Sequence, residues 1–222
     1  VMNHGGYVDK YEGDLIMAVW GVPFPMADHA EHACLAALEQ METLEAMQTF
    51  LLQQFGHEIH VRMGINSGTV TAGNMGSDRR FQYTVMGDAV NQASRFESAN
   101  KDYRTSIMLG ETTYLGAKNV IEGRLLDLLV PKGRRQPIRV YELLGRKGQV
   151  PAAKLELVKI YEQALEAHWK REWEKALALL QQTLQMDPQD GPSLNLRQRI
   201  HHYQQTPPPA EWTGEYFRLT KD

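Results

Sequence analysis

Two short segments of the chain concentrate the side chains whose types and spacing are suited to chemistry. The first, residues 5–14, ends in Gly13-Asp14, a pair that predicts a hairpin tip presenting the Asp14 carboxylate. Hard cations such as Mg²⁺ prefer carboxylate oxygens and are often completed by phosphate oxygens. Aspartate is also a common turn residue, so Asp14 taken alone stays open between a metal ligand and a turn residue.

The second segment, residues 81–95, carries an amide and a guanidinium at helical spacing. Asn91 and Arg95 are four residues apart in a stretch with a helical pattern, so we expect them to share one helix face. Such a pair can bind a phosphate chain, for which the planar guanidinium is well shaped. A solvated helix face is the alternative, and the pair alone does not decide between the two.

Strand-like and helix-like patterns alternate from Gly6 to Leu144, which predicts an α/β or α+β fold. Asp28 is expected to cap a long helix in a capping box with Glu31. The apolar patterns predict helices over 28–55 and 88–100, and strands near 7–11, 15–20, 59–65, 69–73, 81–86, 106–109, 125–130 and 138–144.

After Pro151 the strand signal stops and the pattern becomes helical over 154–186 and 193–203. Ala164, Ala176 and Pro188 fit a tetratricopeptide-like helix pair, whereas Ala167 stands where an aromatic residue is usual. A single repeat cannot bury its own apolar face, so it must pack on the first domain, on a partner chain, or on both. We therefore expect a domain over 1–145, a helical extension over 152–203 and a proline-rich tail over 204–222.

Composition narrows the class of protein. The 222 residues contain 24 Lys and Arg against 27 Asp and Glu, a net charge of −3 that gives no support to nucleic-acid binding. The single cysteine, Cys34, excludes an intrachain disulfide and a zinc cluster, is expected in the core, and favours a reducing compartment. The longest apolar stretch, 15–24, is too short to span a membrane, so we expect a cytoplasmic domain, with a sensor or membrane anchor possible upstream.

Taken together, five ordered blocks resemble the catalytic domain of class III nucleotidyl cyclases. The resemblance runs from Val1 to Leu144, about two-thirds of the chain. The matching blocks are Gly5 to Asp14, Met63 to Gly68, Gly73 to Ser77, Tyr83 to Asn91 continuing to Arg95, and Pro131-Lys132-Gly133 followed by Val140 to Leu143.

This resemblance implies an α+β, ferredoxin-like sandwich that works as a head-to-tail homodimer with its active sites at the interface. It implies conversion of a nucleoside triphosphate to its 3′,5′-cyclic monophosphate and pyrophosphate with two divalent ions, Mg²⁺ or Mn²⁺. By position, Asp14 corresponds to the second metal-binding carboxylate, Asn91 to the residue that orients the ribose, and Arg95 to the cation at the transferring phosphorus.

The resemblance further implies that Lys10 and Thr84 read the base and that Lys132 contacts the terminal phosphates. Similar guanylate cyclases carry Glu and Cys at the two base-reading positions, so the pair here favours ATP. A lysine donor suits adenine N1, and a threonine hydroxyl can accept from the N6 amino group. Guanine has the opposite pattern and would leave buried groups unpaired.

One departure from the family pattern bears on activity. The family's first metal carboxylate lies on a strand before the Gly-Gly segment, and the sequence here begins after it. We expect the 222-residue chain to bind Mg²⁺ weakly and to turn over slowly or not at all. Two other functions stay open: an inactive nucleotide-binding regulatory homologue, and a scaffold that uses the tetratricopeptide-like extension.

Overall fold

The computed structural model of the chain describes residues 1–77, 80–130 and 136–217. A short 3-10 turn precedes the first strand. The strands are β1 (Tyr7–Glu12), β2 (Leu15–Val19), β3 (Met63–Ile65), β4 (Thr71–Ser77), β5 (Arg80–Met86), β6 (Ile107–Gly110), β7 (Ile121–Val130), β8 (Ile138–Arg146) and β9 (Tyr216–Phe217). The helices are α1 (His29–Phe55), α2 (Asp88–Tyr103), α3 (Glu111–Ala117), α4 (Ala152–Trp169), α5 (Trp173–Met186) and α6 (Gly191–Gln205).

A five-stranded mixed sheet forms the centre of the molecule, in the order β3-β6-β8-β7-β9. The β3–β6 and β7–β9 pairs are parallel, and β8 runs antiparallel to both of its neighbours. Two antiparallel hairpins, β1–β2 and β4–β5, form separate two-stranded sheets. The expected α+β fold with C-terminal helices is therefore confirmed.

Strand β6 shows how the sheet divides the core, since all four of its residues are buried. Successive side chains of a strand point to opposite faces. Ile107 and Leu109 pack with the N-terminal half of α1, whereas Met108 packs with α2 on the other face. The core is thus two apolar layers, one on each side of the sheet.

Cys34 lies in the α1 layer and is fully buried, as expected. Burial raises the pKa of its thiol to about 12, so the thiol stays neutral at physiological pH. None of the helices in the described ranges is long and apolar enough to cross a membrane.

Several boundaries differ from those predicted. The strand expected over 59–65 is confined to Met63–Ile65, the residues that find a partner in β6. Asp28 does precede α1, but its side chain makes no capping hydrogen bond and instead contacts His32 Nε2 at 3.2 Å, so the capping box is wrong. The helical stretch expected over 154–186 is divided into α4 and α5, a pair of helices between which the chain turns at Arg171 with a φ of 61°.

Helix α3 and strand β9 were not expected from sequence. The short strand β9 forms because β7 presents an unpaired edge, against which Tyr216 and Phe217 lie in parallel register with Leu129 and Val130. A two-residue strand has too little pattern of its own to be seen in a sequence. The predicted turn at 131–133 lies outside the described residues.

Strand β3 and helix α2 approach so closely that only glycine fits between them. A Cβ atom on Gly64 would lie 2.0 Å from the Ala93 carbonyl oxygen and 2.4 Å from the Glu97 nitrogen. Both are backbone atoms, so no side-chain movement can relieve the overlap. Gly64 therefore fixes the distance between the sheet and the helix that carries Asn91 and Arg95.

We expect Gly64→Ala to destabilise the protein by about 1–3 kcal/mol, because α2 must move away from the sheet. Thermal unfolding would show this as a fall in Tm of roughly 2–4 °C for each kcal/mol lost. Gly73→Ala is the matched control, since a Cβ atom there meets nothing within 4 Å. Equal melting temperatures for the two variants would contradict this account of the packing.

The C-terminal helices pack on the sheet of the first domain, which is one of the arrangements that the sequence left open. Tyr161 of α4 donates its hydroxyl to the Leu126 carbonyl at 2.8 Å, and Glu162 accepts from the Leu125 amide at 2.9 Å. Both contacts are with β7. The division into domains and the tetratricopeptide assignment stay predictions, but this helix pair is joined to the first domain by direct hydrogen bonds.

A buried ion pair strengthens the same junction. Arg124 of β7 is 1% exposed and donates to both carboxylate oxygens of Asp190, at 2.8 and 2.9 Å. Asp190 lies just before α6. The same guanidinium donates to Glu142 Oε2 at 2.6 Å. Burial alone would raise the pKa of Asp190, but the Arg124 charge, Ser193 and Lys154 together hold it below its ordinary value.

We expect Arg124→Leu to cost about 3–5 kcal/mol near neutral pH, because the buried Asp190 carboxylate and the partly buried Glu142 carboxylate lose the guanidinium that they share. In the wild type, the depressed pKa of Asp190 gives a contribution to stability that is present above the unfolded-state pKa and is lost as the pH falls through the folded-state pKa. Without Arg124 the pKa of the Asp190 carboxyl rises, so the cost of the substitution should shrink towards acid pH as this buried group becomes protonated.

Urea unfolding across a pH series measures this difference. Arg139→Leu is the matched control, because Arg139 lies on neighbouring β8 in a half-exposed pair with Glu111 at 3.0 Å. A surface pair of this kind contributes about 0–1 kcal/mol. A cost for Arg124→Leu that grows towards acid pH would show that the sign of the effect is wrong.

Candidate functional site

The β1–β2 hairpin places Asp14 at its tip, as the sequence predicts. Glu12 pairs with Leu15, so Gly13 and Asp14 form a two-residue turn. Gly13 has a φ of 62°, in the left-handed region that glycine adopts without strain. The Asp14 side chain is exposed, so its carboxylate is accessible to a ligand.

Strand β1 contains a β-bulge that the sequence pattern did not predict. Val8 pairs with Ala18 and Lys10 with Met17, which leaves Asp9 as the extra residue between them. A bulge interrupts the alternation of side chains between faces, so neighbouring residues can turn towards each other. Lys10 Nζ accordingly lies 3.3 Å from Asp9 Oδ2.

Strand β5, in the β4–β5 hairpin, supplies two further contacts to Asp9. Gln82 and Thr84 are two residues apart and therefore lie on one face of the strand. Thr84 Oγ1 donates to Asp9 Oδ2 at 2.9 Å, and Gln82 Nε2 donates to the Asp9 carbonyl at 3.0 Å. The structure thus brings Lys10 and Thr84 together on one carboxylate oxygen.

The carboxylate between them is buried. The Asp9 side chain has no exposed surface, and its second oxygen, Oδ1, has no hydrogen-bond partner in the described ranges. Buried polar atoms usually have partners, so an unpartnered carboxylate oxygen points to a role beyond stability. Asp9 and Gln82 were both missed by sequence reasoning, although the spacing of Gln82 and Thr84 in a predicted strand does place those two on one face.

Helix α2 presents the second pair of predicted residues near its N-terminus. Asn91 is exposed and Arg95 is half-buried, and their four-residue spacing within the observed helix places them on one face. The helix start is fixed by Gly87, with a φ of 153°, and by Asn66, whose Nδ2 donates to the Ala89 carbonyl at 3.1 Å. These two features fix the backbone at the start of the helix.

Within the described part of the chain, no hydrogen bond or ion pair joins Asp14 to Asn91 or Arg95. One chain thus assembles the Lys10–Thr84 pair, whereas the hairpin acid and the amide–guanidinium pair are not brought into contact. Lys132, predicted to contact terminal phosphates, lies outside the described residues.

The donor set fits a hard cation in part. Asp14 offers an exposed carboxylate, whereas the buried Asp9 carboxylate accepts from Thr84 and lies 3.3 Å from Lys10 Nζ through its Oδ2 atom. No cluster of three or more His, Cys, Asp or Glu residues suited to a metal occurs in the described ranges. A single exposed carboxylate fits a divalent ion only where further oxygen ligands, such as phosphate oxygens, complete the coordination.

Comparison with known proteins gives a consistent match over the first two-thirds of the chain. Residues 2–144 match the family described as the adenylate and guanylate cyclase catalytic domain. Adenylate cyclase 1 of Rhizobium meliloti is 39% identical over 145 residues, which are 65% of this chain and 22% of that protein. The terminal-differentiation specific adenylate cyclase of Dictyostelium discoideum is 31% identical over 206 residues, 90% of this chain and 9% of that protein.

This second match extends past the family model into the C-terminal helices. The chain spans less than a quarter of the length of either relative.

Solved structures of both cyclase types have the same fold. The adenylyl cyclase CyaB from P. aeruginosa superposes with a TM-score of 0.60 at 29% identity, covering 68% of this chain and 77% of that one. The guanylate cyclase domain of RhGC from Catenaria anguillulae, in complex with GTP, gives 0.56 at 33% identity, covering 66% and 76%. The fold alone therefore does not separate the two substrates.

Proposed function

The chain belongs to the adenylate and guanylate cyclase catalytic domain family, and on that premise we propose that it converts ATP to 3′,5′-cyclic AMP and pyrophosphate. The observation that carries the choice of substrate is the meeting of Lys10 and Thr84 on Asp9. An ammonium donor and a hydroxyl acceptor held side by side match the N1 and N6 positions of adenine. Guanine would place its N1 hydrogen against the Lys10 ammonium, which is also a donor, and would leave the buried polar groups of the site unpaired.

The reaction is an in-line attack of the ribose 3′-oxygen on the α-phosphorus. The new bond joins that oxygen to the α-phosphorus, the 3′-hydroxyl proton is released to water, the bond from the α-phosphorus to the bridging oxygen breaks, and pyrophosphate leaves with the electron pair. Asn91 would orient the ribose, and Arg95 would stabilise the charge that accumulates on the transferring phosphoryl group. Lys132 is proposed to contact the terminal phosphates.

Asp14 would hold Mg²⁺ or Mn²⁺, which supplies charge neutralisation and lowers the pKa of the 3′-hydroxyl when bound. Two ions serve a complete site in this proposal. With one exposed carboxylate at the hairpin tip, Asp14 is the ligand that this chain contributes from the described ranges.

We propose that a homodimer completes the site, as the family resemblance implies. This is supported by the described part of the chain, in which no hydrogen bond or ion pair joins Asp14 to Asn91 or Arg95, although the reaction needs all three around one triphosphate. In a two-fold dimer, Asp14 of one protomer would face the amide–guanidinium pair of its partner. Each dimer would then contain two composite sites.

Mixing two inactive variants tests this arrangement. Asp14→Asn and Arg95→Ala are each expected to reduce cyclic AMP formation at least a hundredfold, because each removes charge stabilisation from every site. Random re-assortment of the two should restore about a quarter of the wild-type rate, since half of the dimers then contain one intact site of two. A mixture no more active than its components would contradict the composite site.

Product analysis with ATP and GTP tests the substrate. The wild type is expected to form cyclic AMP, and the double variant Lys10→Glu/Thr84→Cys should shift the preference towards GTP by at least tenfold, because the donor and acceptor positions are exchanged. Mass spectrometry of the products measures both outcomes. An unchanged preference for ATP in the double variant would contradict the base-reading assignment.

These assays use the chain itself and, in parallel, a version extended at its N-terminus by a strand that carries a second metal carboxylate. We expect the extended version to be faster at equal Mg²⁺, because a divalent ion is held more tightly by two carboxylates than by one. Equal rates would refute that expectation. Absence of product from both versions would favour the alternative of a nucleotide-binding, inactive homologue.

A further inference from the structure

We propose that Asp9 determines the purine specificity of the site by fixing the proton of the Thr84 hydroxyl. In this proposal Asp9 is a positioning residue that does not itself touch the base. It accepts the only proton that Thr84 can donate and holds the Lys10 ammonium beside it. The inference rests on the proposed function and adds the reason why threonine at this position reads adenine.

The Thr84 hydroxyl can form hydrogen bonds in either direction. A threonine hydroxyl has one proton and can either donate or accept towards a ligand, so by itself it does not distinguish an amino group from a carbonyl. Here Thr84 Oγ1 lies 2.9 Å from Asp9 Oδ2, and an ionised carboxylate only accepts. The proton is therefore used internally, and the oxygen presents lone pairs alone.

Burial makes this orientation costly to reverse. Asp9 and Thr84 are 6% and 7% exposed, so neither group can exchange its partner for bulk water. Asp9 Oδ1 already lacks a partner in the described ranges. Turning the hydroxyl outwards to donate to a guanine O6 would remove a hydrogen bond from a buried carboxylate, which is a large penalty.

The bulge and Gln82 hold Asp9 in a position from which its carboxylate contacts both Lys10 and Thr84. Asp9 is the unpaired residue of the β1 bulge, and Gln82 Nε2 ties its carbonyl to β5 at 3.0 Å. Lys10 Nζ approaches the same Oδ2 at 3.3 Å, and an ammonium keeps further donors for a ligand. The carboxylate thus sets a donor and an obligate acceptor side by side, the order that adenine N1 and N6 require.

Binding measurements with non-hydrolysable analogues test this without relying on turnover. The probes are α,β-methylene-ATP and α,β-methylene-GTP, titrated with Mn²⁺ into the chain by calorimetry. The wild type is expected to prefer the ATP analogue. Asp9→Leu, which keeps the approximate shape of the side chain but removes both acceptor oxygens, should lower the ratio of the two affinities by about tenfold.

A double-substitution cycle separates positioning from general damage to the fold. Thr84→Val should also lower the ratio, and Asp9→Leu should lower it less in the Thr84→Val background than in the wild type, because the hydroxyl on which Asp9 acts is gone and only its contact with Lys10 is left to lose. Thr84→Ser keeps the hydroxyl and should retain the wild-type ratio. Glu12→Leu is the matched control: Glu12 is an exposed acid on the same strand and should leave the ratio unchanged.

Asp9→Asn provides a second variant if Asp9→Leu does not fold. The amide keeps one acceptor oxygen but loses the negative charge that holds Lys10, so its ratio should fall between those of the wild type and Thr84→Val. A wild-type ratio in Asp9→Asn, or in a folded Asp9→Leu, would overturn the role of Asp9 while leaving the proposed function in place. A wild type that binds neither analogue would overturn both.

Discussion

Close backbone contact at two points along helix α2 is the constraint on which the rest of the structure depends. In the middle of the helix the Gly64 backbone of β3 lies against Ala93, where a Cβ atom would approach a carbonyl oxygen to 2.0 Å. At the C-terminal end of the helix, a Cβ atom on Gly191 of α6 would approach the Tyr103 carbonyl oxygen to 2.1 Å. Backbone packed on backbone has no rotamers to adjust, so α2 has little freedom to shift. The helix that presents Asn91 and Arg95 is therefore positioned by the sheet and the C-terminal helices together.

The C-terminal helices take part in this positioning as well as covering the sheet. Asn195 of α6 donates to the Asp102 carbonyl near the end of α2 at 3.1 Å. Tyr103 donates to Asp127 Oδ2 at 2.9 Å, and Arg199 of α6 forms an ion pair with the same carboxylate. Buried ion pairs stabilise a fold only modestly but tolerate few alternative arrangements. The buried polar contacts at this junction therefore favour a single position of the C-terminal helices on the sheet.

In the first domain the buried Asp9 carboxylate likewise joins side chains from different elements. Asp9 receives Lys10 from its own strand and Thr84 from another hairpin, and the bulge in β1 makes both contacts possible. Lys10 and Thr84, the proposed base-reading side chains, lie on two separate hairpins and would otherwise be free to vary in spacing. The shared carboxylate converts two flexible groups into one preorganised surface, which lowers the ordering cost when a ligand binds.

Local pattern in the sequence determined the elements and the residues on each face. Asp14 lies at a hairpin tip because Gly13 supplies the left-handed turn, and Asn91 and Arg95 share a face because the helical period requires it. Tertiary structure alone decided the contacts between distant residues. Asp9 meets Thr84 across 75 positions and Arg124 meets Asp190 across 66, and no local pattern records which strand or helix lies opposite. The bulge at Asp9, the two-residue strand β9 and the seat of the C-terminal helices followed from that pairing, because each forms only where another element offers it a partner.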